Sequence, residues 1–287
     1  MAKTPIKKTA TRRKPRTKKK NTFWSWNKVS IAFGIVFVIF IFLFGYHYRK
    51  GLAYYLGFKN NKKRIEKEDK RITDVRNFEL LSKYDDRVVG IDVSQYQGKI
   101  NWKEVRTVEN TFPIGFVFIR ATVGSDKVDN EFRNNWMGSK ENGIIHGAYH
   151  YYRPNENSLA QANNFIATVK LQKGDLPPVL DIEQLPKNQS LDSLKVGLRR
   201  WLVKVEDHYK IKPIIYSGEK YYDNFLKEEF SEYTFWIANY NFFVEDIKED
   251  WLFWQFTEKA TITGISGNVD LNIYNGTPKM LIYITFN

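Results

Sequence analysis

Seven short apolar runs restrict the fold of this chain more than any other feature of its sequence. From Val88 onward, segments rich in Val, Ile, Phe and Tyr alternate with longer polar segments of helical periodicity. The runs are VVGIDVS, GFVFIRAT, IIHGAYHYY, PPVLDIE, PIIYSG, TFWIANY and LFWQFT. Strands that are apolar along their whole length are typical of a parallel sheet covered by helices, so the pattern predicts an α/β domain.

The number of runs favours a barrel over an open sheet. Roughly 200 residues with seven or eight strands are typical of a (β/α) barrel, and no glycine-rich phosphate loop argues for a doubly wound sheet. Helices are expected near 101–109, 130–142, 157–171, 190–209 and 219–227. Such a barrel carries its chemistry at the carboxyl ends of its strands.

An uncharged apolar segment precedes the domain. Val29 to Tyr46 is 18 residues long and contains no charged side chain, and about 20 apolar residues cross a bilayer core. A cleaved signal peptide also begins basic and then turns apolar, but its apolar part is usually about 7 to 15 residues and ends at small residues. Bulky GYHYRKG follows here, so we expect one uncleaved transmembrane helix.

The distribution of charge predicts the orientation of that helix. Residues 1–28 carry 11 Lys and Arg and no acid, whereas residues 46–71 carry 9 basic and 3 acidic residues. The flank richer in Lys and Arg stays in the cytoplasm. We therefore expect a single-pass protein of the cell (inner) membrane, with a cytoplasmic N-terminus and the domain in the periplasm or at the cell exterior.

The same distribution bears on nucleic acid as a partner. The two basic segments outweigh the net charge of the whole chain, which is +13, so residues 72–287 are mildly acidic. A nucleic-acid binder would need its domain in the cytoplasm, and we expect no nucleic-acid partner. The chain is accordingly divided into a basic, disordered cytoplasmic tail (1–28), the transmembrane helix (29–46), a juxtamembrane spacer (47–86) and the folded domain (87–287).

The absence of cysteine excludes disulfides, thiolate metal sites and a cysteine nucleophile. His146 and His150 lie four residues apart, a spacing that holds zinc on a helix. They stand in GIIHGAYHYY, however, which is rich in β-branched and aromatic residues and predicts a strand. We interpret this pair as structural.

Four acidic residues lie at the apolar runs: Asp92 follows VVGI, Asp181 and Glu183 follow PPVL, and Asp270 follows ISGNV. Side chains along a strand alternate between its faces, so Asp181 and Glu183 point the same way, into the mouth of a barrel. Like charges in a partly desolvated site cannot both ionise easily, so one carboxyl keeps its proton near neutrality. Glycosidic bond cleavage uses a protonated carboxyl beside an ionised one.

Other uses of these acids stay open at this point. The same carboxylates could hold Mg²⁺, although no phosphate-handling motif accompanies them, and a single Asp at a strand end is often a helix N-cap. The aromatic residues in YHYY, WIANY and WLFWQFT either belong to the core or form a platform for sugar rings. We expect no metal and no cofactor.

The runs and acids together resemble a known family. The ordered motifs GIDVSQYQGKINW, FVFIRATVG, GIIHGAYHYYRP, PPVLDIE, PIIYSG, FWIANY, WQFT and GISGNVDLN, over about 89 to 275, are similar to those of glycoside hydrolase family 25, the lysozymes that cleave after N-acetylmuramic acid. The resemblance implies an irregular, flattened β/α barrel of the TIM type. It also implies hydrolysis of the β-1,4 bond between N-acetylmuramic acid and N-acetylglucosamine in peptidoglycan glycan strands, with retention at the anomeric carbon.

The resemblance also implies roles for particular residues. By its motif Glu183 is the general acid/base, and Asp181 orients the N-acetyl group of the substrate or stabilises positive charge if the mechanism is substrate-assisted. Asp92 and Asp270 match the two other carboxylates of the family's site, and a direct attack by one of the aspartates stays open. The residues expected to line the sugar groove are Tyr149, Tyr240, Trp254 and Gln255.

One position departs from the family pattern. Members commonly carry an acid after AT in the second motif, where this chain has Val123. We expect altered substrate contacts there and retained activity in cell-wall remodelling or catabolism. The alternative is a non-catalytic peptidoglycan-binding or envelope scaffold protein on the same fold.

Overall fold

The computed structural model describes residues 31, 34, 35, 37–41, 43, 46 and 62–287, and it separates two units, Met1–Leu52 and Ala53–Asn287. In the first unit the described residues are helical and exposed. The expected disordered tail, most of the expected transmembrane helix and the start of the spacer lie outside the described residues. Within the part that is described, no helix combines the length and the apolarity needed to cross a membrane.

Eight strands of the second unit close into a barrel. They are β1 (Val88–Val93), β3 (Phe112–Val123), β5 (Ile145–Tyr151), β6 (Val179–Asp181), β7 (Ile214–Gly218), β8 (Thr234–Ala238), β9 (Phe253–Ala260) and β10 (Val269–Tyr274). Around the barrel they follow the order β1, β10, β9, β8, β7, β6, β5, β3, and β3 pairs back with β1. Two short strands, β2 (Thr107–Val108) and β4 (Lys127–Val128), pair with β3.

The predicted α/β barrel is confirmed, but its sheet is mixed. The seven predicted runs form β1, β3 and β5 to β9, which pair in parallel. The eighth strand, β10, is antiparallel to both of its neighbours, β1 and β9. Because β10 enters the barrel from the opposite end, its first residues lie beside the last residues of β1.

Helices cover the outside of the barrel. They are α1 (Lys62–Lys83), α2 (Phe132–Glu141), α3 (Ser158–Thr168), α4 (Leu191–Tyr209), α5 (Glu219–Tyr221) with a π-helical turn (Tyr222–Leu226), and α6 (Pro278–Tyr283). In α4 the buried residues recur at helical spacing, from Leu194 and Leu198 to Val205 and Tyr209. The side chain of Ser190 caps its first turn by accepting a hydrogen bond from the backbone N–H of Ser193.

The helix expected over 101–109 is wrong. Residues 101–106 form turns, and Thr107 and Val108 form β2. Tertiary contacts hold the segment in this shape, because the backbone N–H of Asn101 donates to the carbonyl of Gly264 over 2.8 Å. The indole of Trp102 donates to Asn135 of α2.

Strand alternation separates an inner core from an outer core. The inner core fills the barrel with aromatic side chains, among them Phe116, Phe118, Trp236 and Phe253, and the rings of Phe118 and Trp236 stack with centroids 4.6 Å apart. Gly90 of β1 faces this interior, where an added Cβ would stand 2.3 Å from the ring of Phe116. The barrel is therefore a packed body, and only its mouth is open to polar chemistry.

The helix α1 packs against the barrel through its second half. Its buried residues, Thr73, Arg76, Asn77, Leu80 and Leu81, recur at helical spacing, and the guanidinium of Arg76 donates to the carbonyl of Phe256 in β9. Packing with the domain thus starts before Arg87, the boundary that the sequence predicts. The polar composition of residues 59–86 hid this, since three of the five buried residues are polar.

Candidate active site

The barrel mouth, formed by the last residues of the parallel strands and the first residues of β10, gathers all four predicted carboxyls. Asp92 is near the end of β1 and Asp181 ends β6, while Glu183 follows two residues later. Asp270 lies at the start of β10, not at a strand's end as the sequence suggested, and the reversed direction of β10 brings it to the same mouth. The charges of Asp92, Asp270 and Glu183 act on one another.

Asp92 and Asp270 form a pair across two strands. They are directly opposite residues in the antiparallel ladder of β1 and β10, and their carboxyls are hydrogen-bonded to each other. Burial and, next in size, the nearby charge of Asp92 raise the pKa of Asp270 to about 9. Burial also raises the pKa of Asp92, but only to about 6, because amide donors stabilise its ionised form. The shared proton therefore resides on Asp270.

Two amides hold the carboxylate of Asp92. The side chains of Gln255 and Asn272 donate to its Oδ2 atom over 2.6 and 2.8 Å. The amide oxygen of Asn272 accepts from the indole of Trp236 over 2.7 Å. That of Gln255 accepts from the hydroxyls of Tyr216 and Tyr240.

These donors fix which way the amides point. Because their oxygens are occupied by N–H and O–H donors, both amide nitrogens must face Asp92. Asp92 is only 7% exposed, so its carboxylate is held beneath the mouth and cannot turn toward solvent. Its negative charge is therefore preorganised.

Asp181 and Glu183 form a second pair along one strand. The backbone on both sides of Ile182 is bonded to neighbouring strands: Tyr152 N donates to the carbonyl of Asp181 over 2.8 Å, and Ile182 N donates to that of Tyr216 over 3.0 Å. Ile182 is buried in the outer core, so the side chains before and after it both face the mouth. Asp181 is 4% exposed, whereas Glu183 is exposed at the rim.

The two carboxyls of this second pair differ in their affinity for a proton. Burial raises the pKa of Asp181 well above its ordinary value, and the charge of Glu183 and a hydrogen bond to it raise it further. Partial burial also raises the pKa of Glu183, while the hydrogen bond with Asp181 lowers it. The shared proton therefore stays with Asp181, and the expectation that one of two crowded carboxyls is neutral applies to both pairs.

Aromatic side chains stand around the carboxyls. Tyr149 of β5 is half-buried near Asp92 and Arg120, and burial raises its pKa well above the ordinary value. Tyr240 follows β8 and is 39% exposed. It lines a hollow of about 710 Å³ together with Glu183 and Tyr216.

A second hollow of about 580 Å³ contains Tyr151, whose pKa is raised by burial and by the charge of Glu183, so it adjoins the same mouth. Tyr96, Arg120 and Val123 line it as well, which places the departure from the family pattern in a hollow beside the carboxyls. The two hollows give the mouth the dimensions of a groove for an extended ligand.

Two residues expected to line the groove do not reach it. Trp254 is fully buried in the outer core, and its indole donates to the carbonyl of Asn239 over 3.1 Å. Gln255, the next residue, faces the barrel interior but is buried beneath the mouth, where it holds Asp92. Neighbouring residues of a strand face opposite sides, so Trp254 and Gln255 could not both have lined the groove.

The two strand histidines are engaged within the protein. The ring of His150 is fully buried between the hydroxyl of Thr122 and the amide of Gln161, and burial lowers its pKa to about 4. His146 lies 3.1 Å from a carboxylate oxygen of Asp175. Among the described residues, no group of three or more His, Asp and Glu side chains is arranged to hold a metal ion.

Sequence reasoning missed three residues that shape the site: Trp236, Asn272 and Arg120. The first two act on Asp92 from beneath, and the charge of Arg120 lowers the pKa of Asp181. Alternation was a usable signal for Asn272, because it stands two residues after Asp270 and must face the same side of β10. Nothing in the sequence paired Trp236 with Asn272 across the barrel.

A closed α/β barrel with paired carboxyls at its mouth is compatible with glycoside hydrolysis, which uses two carboxyl groups. The model of the glycosyl hydrolases family 25 matches residues 91–265. The chain belongs to this family.

Known proteins resemble the chain over most of its length. The uncharacterized protein YegX of Escherichia coli (strain K12) is 39% identical over 72% of this chain and 76% of the relative. Lysozyme M1 of Streptomyces globisporus is 32% identical over 70% of this chain and 72% of the relative. The crystal structure of the bacterial lysozyme from Streptomyces coelicolor superposes with a TM-score of 0.62 at 29% identity, covering 70% of this chain and 97% of that one. The chain is thus homologous to lysozymes.

Proposed function

We propose that this chain is a muramidase that hydrolyses the β-1,4 bond between N-acetylmuramic acid and N-acetylglucosamine in peptidoglycan. The observation that carries the proposal is the barrel mouth with two carboxyl pairs, in which one acid, Glu183, is exposed to a ligand and three are held below it. Membership of glycosyl hydrolases family 25 and the similarity to Lysozyme M1 support the same reaction.

Glu183 is the proposed general acid. It is the exposed carboxyl, and its pKa is already raised by partial burial. A sugar in the groove displaces more water and separates Glu183 from Asp181. Because the hydrogen bond from Asp181 lowers the pKa of Glu183, its loss and the added desolvation both favour the protonated acid. Glu183 then delivers this proton to the oxygen of the leaving sugar, and the bond from that oxygen to the anomeric carbon breaks.

The aspartates have complementary roles in this proposal. Once Glu183 takes the proton that the pair shares, Asp181 is ionised and accepts a hydrogen bond from the N–H of the substrate's N-acetyl group. The acetamido oxygen of the substrate then attacks the anomeric carbon, which explains retention after water reopens the intermediate with Glu183 as the base. Asp92, ionised above about pH 6, stabilises the developing positive charge, and Asp270 carries the proton that this pair shares.

The substrate groove is proposed to run between the two hollows. Tyr240 presents an exposed ring on one side of Glu183 and Tyr151 a half-buried ring on the other. Aromatic faces of this kind stack on the apolar faces of sugar rings. Tyr149 contributes the wall nearest to Asp92, and the apolar side chain of Val123 replaces an acid at the far end of the groove.

We further propose that the N-terminal segment anchors the protein in the cell (inner) membrane with the domain outside the cytoplasm. The uncharged run at 29–46 and the basic residues before it support this topology. An anchored muramidase trims wall within reach of its tether. Protease added to intact spheroplasts should digest the domain and leave the N-terminal tail, whereas a domain protected until the membrane is lysed contradicts the topology.

The reaction is tested by digesting purified peptidoglycan with the full chain in detergent and identifying the new ends by mass spectrometry. The proposal requires new reducing ends on N-acetylmuramic acid, and a Glu183→Gln variant of equal folded content serves as the matched control. New ends on N-acetylglucosamine would contradict the bond assigned, and equal turnover by Glu183→Gln would contradict the acid. Sedimentation with peptidoglycan and no new ends would support the wall-binding alternative instead.

A further inference from the structure

The loop between β8 and β9, residues 239–252, forms one wall of the groove and has no regular secondary structure of its own. Asn239, Tyr240 and Asn241 line the hollow that contains Glu183. Since the loop has no helix or strand ladder to fix it, its shape depends on contacts with the rest of the chain. On the barrel side, Glu219 accepts from the amide of Asn239 over 2.5 Å and pairs with Lys248 over 2.6 Å.

The opposite side of this loop is held by the end of α1 and the turn after it. Lys83 donates to the carbonyl of Glu245 over 2.9 Å and pairs with Asp246. The hydroxyl of Tyr84 accepts from the backbone N–H of Ile247 over 3.0 Å. The contacts of Lys83 are exposed, so each contributes little by itself, and the contact of Tyr84 is partly buried.

Arg76 makes the buried part of this attachment. Its guanidinium is 8% exposed and donates to three carbonyls: Phe256 over 2.8 Å, Asn241 over 3.1 Å and Val244 over 3.3 Å. One planar cation thereby ties both ends of the turn at 241–244 to strand β9. Hydrogen bonds from a buried charged donor are stronger than neutral ones, and each acceptor would be left without this partner if the guanidinium were removed.

The loop connects Arg76 with the carboxyl chemistry through Tyr240. Asn241, whose carbonyl Arg76 holds, is the next residue after Tyr240. The hydroxyl of Tyr240 donates to the amide oxygen of Gln255, and the amide nitrogen of Gln255 donates to Asp92. A shift of the loop therefore moves both the exposed ring that faces the groove and one of the two amides that hold Asp92.

We propose that Arg76 is a positioning residue for the substrate groove, and that α1 is a functional part of the enzyme although it precedes the family-matched residues 91–265. By binding the carbonyls of Asn241, Val244 and Phe256, Arg76 sets the conformation of the groove wall that carries Tyr240. The expected effect of Arg76 on KM rests on the proposed function. Its expected effect on the conformation of the loop rests on the contacts alone.

The test compares three variants of the full chain in detergent: Arg76→Gln, Arg76→Lys and Leu194→Ala. Leu194 is buried in α4, which packs on α3, so its truncation lowers stability without touching the loop. Hydrogen exchange of the amides in 241–250 reports on the loop whether or not the protein turns over. Initial rates on soluble glycan fragments give KM and kcat separately, and the thermal midpoint of each variant is recorded.

In Arg76→Gln we expect faster exchange in the loop and a rise in KM of about tenfold with kcat less affected, since a factor of ten corresponds to the loss of about one hydrogen bond. Loop exchange and KM of Arg76→Lys should lie between those of the unchanged chain and Arg76→Gln, because an ammonium cannot bind three carbonyls as a planar guanidinium does. Leu194→Ala should lower the thermal midpoint and leave loop exchange and KM near those of the unchanged chain.

Unchanged loop exchange in a folded Arg76→Gln variant overturns the proposal. So does the same change in exchange and KM in Leu194→Ala, which would make the effect one of general stability. Faster exchange with KM and kcat both unchanged would leave Arg76 a structural residue only and also overturns it. If the unchanged chain releases no reducing ends, the proposed function fails, and the exchange comparison between Arg76→Gln and Leu194→Ala still decides whether Arg76 sets the loop.

Discussion

The pair of Asp92 and Asp270 and the pair of Asp181 and Glu183 share one barrel mouth but are built in different ways. The first joins two strands that run in opposite directions, with donors beneath it. The second lies along one chain segment, and its outer member is exposed. In both pairs one carboxyl takes the proton, but only the second pair can present a carboxyl to a ligand.

The difference shows how one barrel mouth holds two acids, Asp92 and Glu183, in different surroundings. Amide donors favour the charged form of Asp92 and bring its pKa down to about 6 despite burial. The pKa of Glu183 is raised by burial and lowered by its hydrogen bond with Asp181. A ligand that breaks this hydrogen bond therefore changes the protonation of Glu183. The charge of the first pair is held in place by amides, whereas the protonation of the second pair can change when a ligand binds.

The largest effect is expected from comparing one substitution in each pair. Glu183→Gln removes the proposed proton donor and should lower kcat by about 10² to 10⁴-fold. Asp270→Asn keeps a hydrogen-bond donor toward Asp92 and should lower kcat by only about tenfold. Steady-state rates on peptidoglycan fragments measure both, and equal losses in the two variants would show that the pairs do not have separate roles.

The next prediction concerns the amides that hold Asp92. Asn272→Leu removes one donor to the ionised carboxylate, so the pKa of Asp92 should rise above about 6 by roughly one unit, the equivalent of one hydrogen bond. Activity that needs ionised Asp92 is lost as pH falls through this pKa, so the acid limb of the pH–kcat/KM profile should move to higher pH. Asn134→Leu, an exposed change on α2, should leave the limb in place.

How far the sequence predicted this site depends on the pair. Strand alternation alone placed Asp181 and Glu183 on one side, because both belong to one short segment. It gave no way to bring Asp270 beside Asp92, since β10 reverses direction and its sequence, VDLNIY, is interrupted by Asp270 and Asn272 and so lacks the continuous apolar run that marked the parallel strands. The position of Asp270 after ISGNV and the motif resemblance both pointed to this residue, and the geometry that brings it beside Asp92 came from the structure.

The same distinction applies to the fold. The seven apolar runs were sufficient to predict the barrel, because burial on both faces requires apolar residues at every position. They did not predict the packing of α1, in which the guanidinium of Arg76 is buried and is made acceptable by the carbonyls that accept its hydrogen bonds. The family resemblance placed both Trp254 and Gln255 in the groove, although neighbouring residues of a strand face opposite sides.

Stability gives a third comparison. The pKa of Asp270 rises from 3.8 to about 9 on folding, so between these values the folded state keeps a proton that the unfolded state has released. Its contribution to stability is therefore greatest at low pH and is lost as pH rises toward about 9. Asp270→Asn removes this dependence, and its thermal midpoint at about pH 8 should be higher than that of the unchanged chain. A midpoint that is lower at about pH 8 than at about pH 5 by the same amount in both proteins would contradict this account.

The smallest effect is expected outside the two pairs. Trp254→Phe alters the outer core beneath the groove wall, so it should lower the thermal midpoint by a few degrees and change KM by less than about twofold. Tyr240→Phe, which keeps the ring but removes the donor to Gln255, should change kcat more than KM. A larger rise in KM for Trp254→Phe than for Tyr240→Phe would indicate that Trp254 lines the groove after all.

The direct pairing of β1 with β10 has a consequence for how the molecule is made. The first strand of the barrel pairs with a strand that is nearly 180 residues away in sequence. The barrel can therefore close only after almost the entire domain has been synthesised. Contacts of such long sequence separation slow folding. Until the last strand arrives, β1 has an open edge, and Asp92 lacks the amide of Asn272 that holds its charge. Assembly of the Asp92–Asp270 pair is therefore among the final events in the folding of the nascent chain.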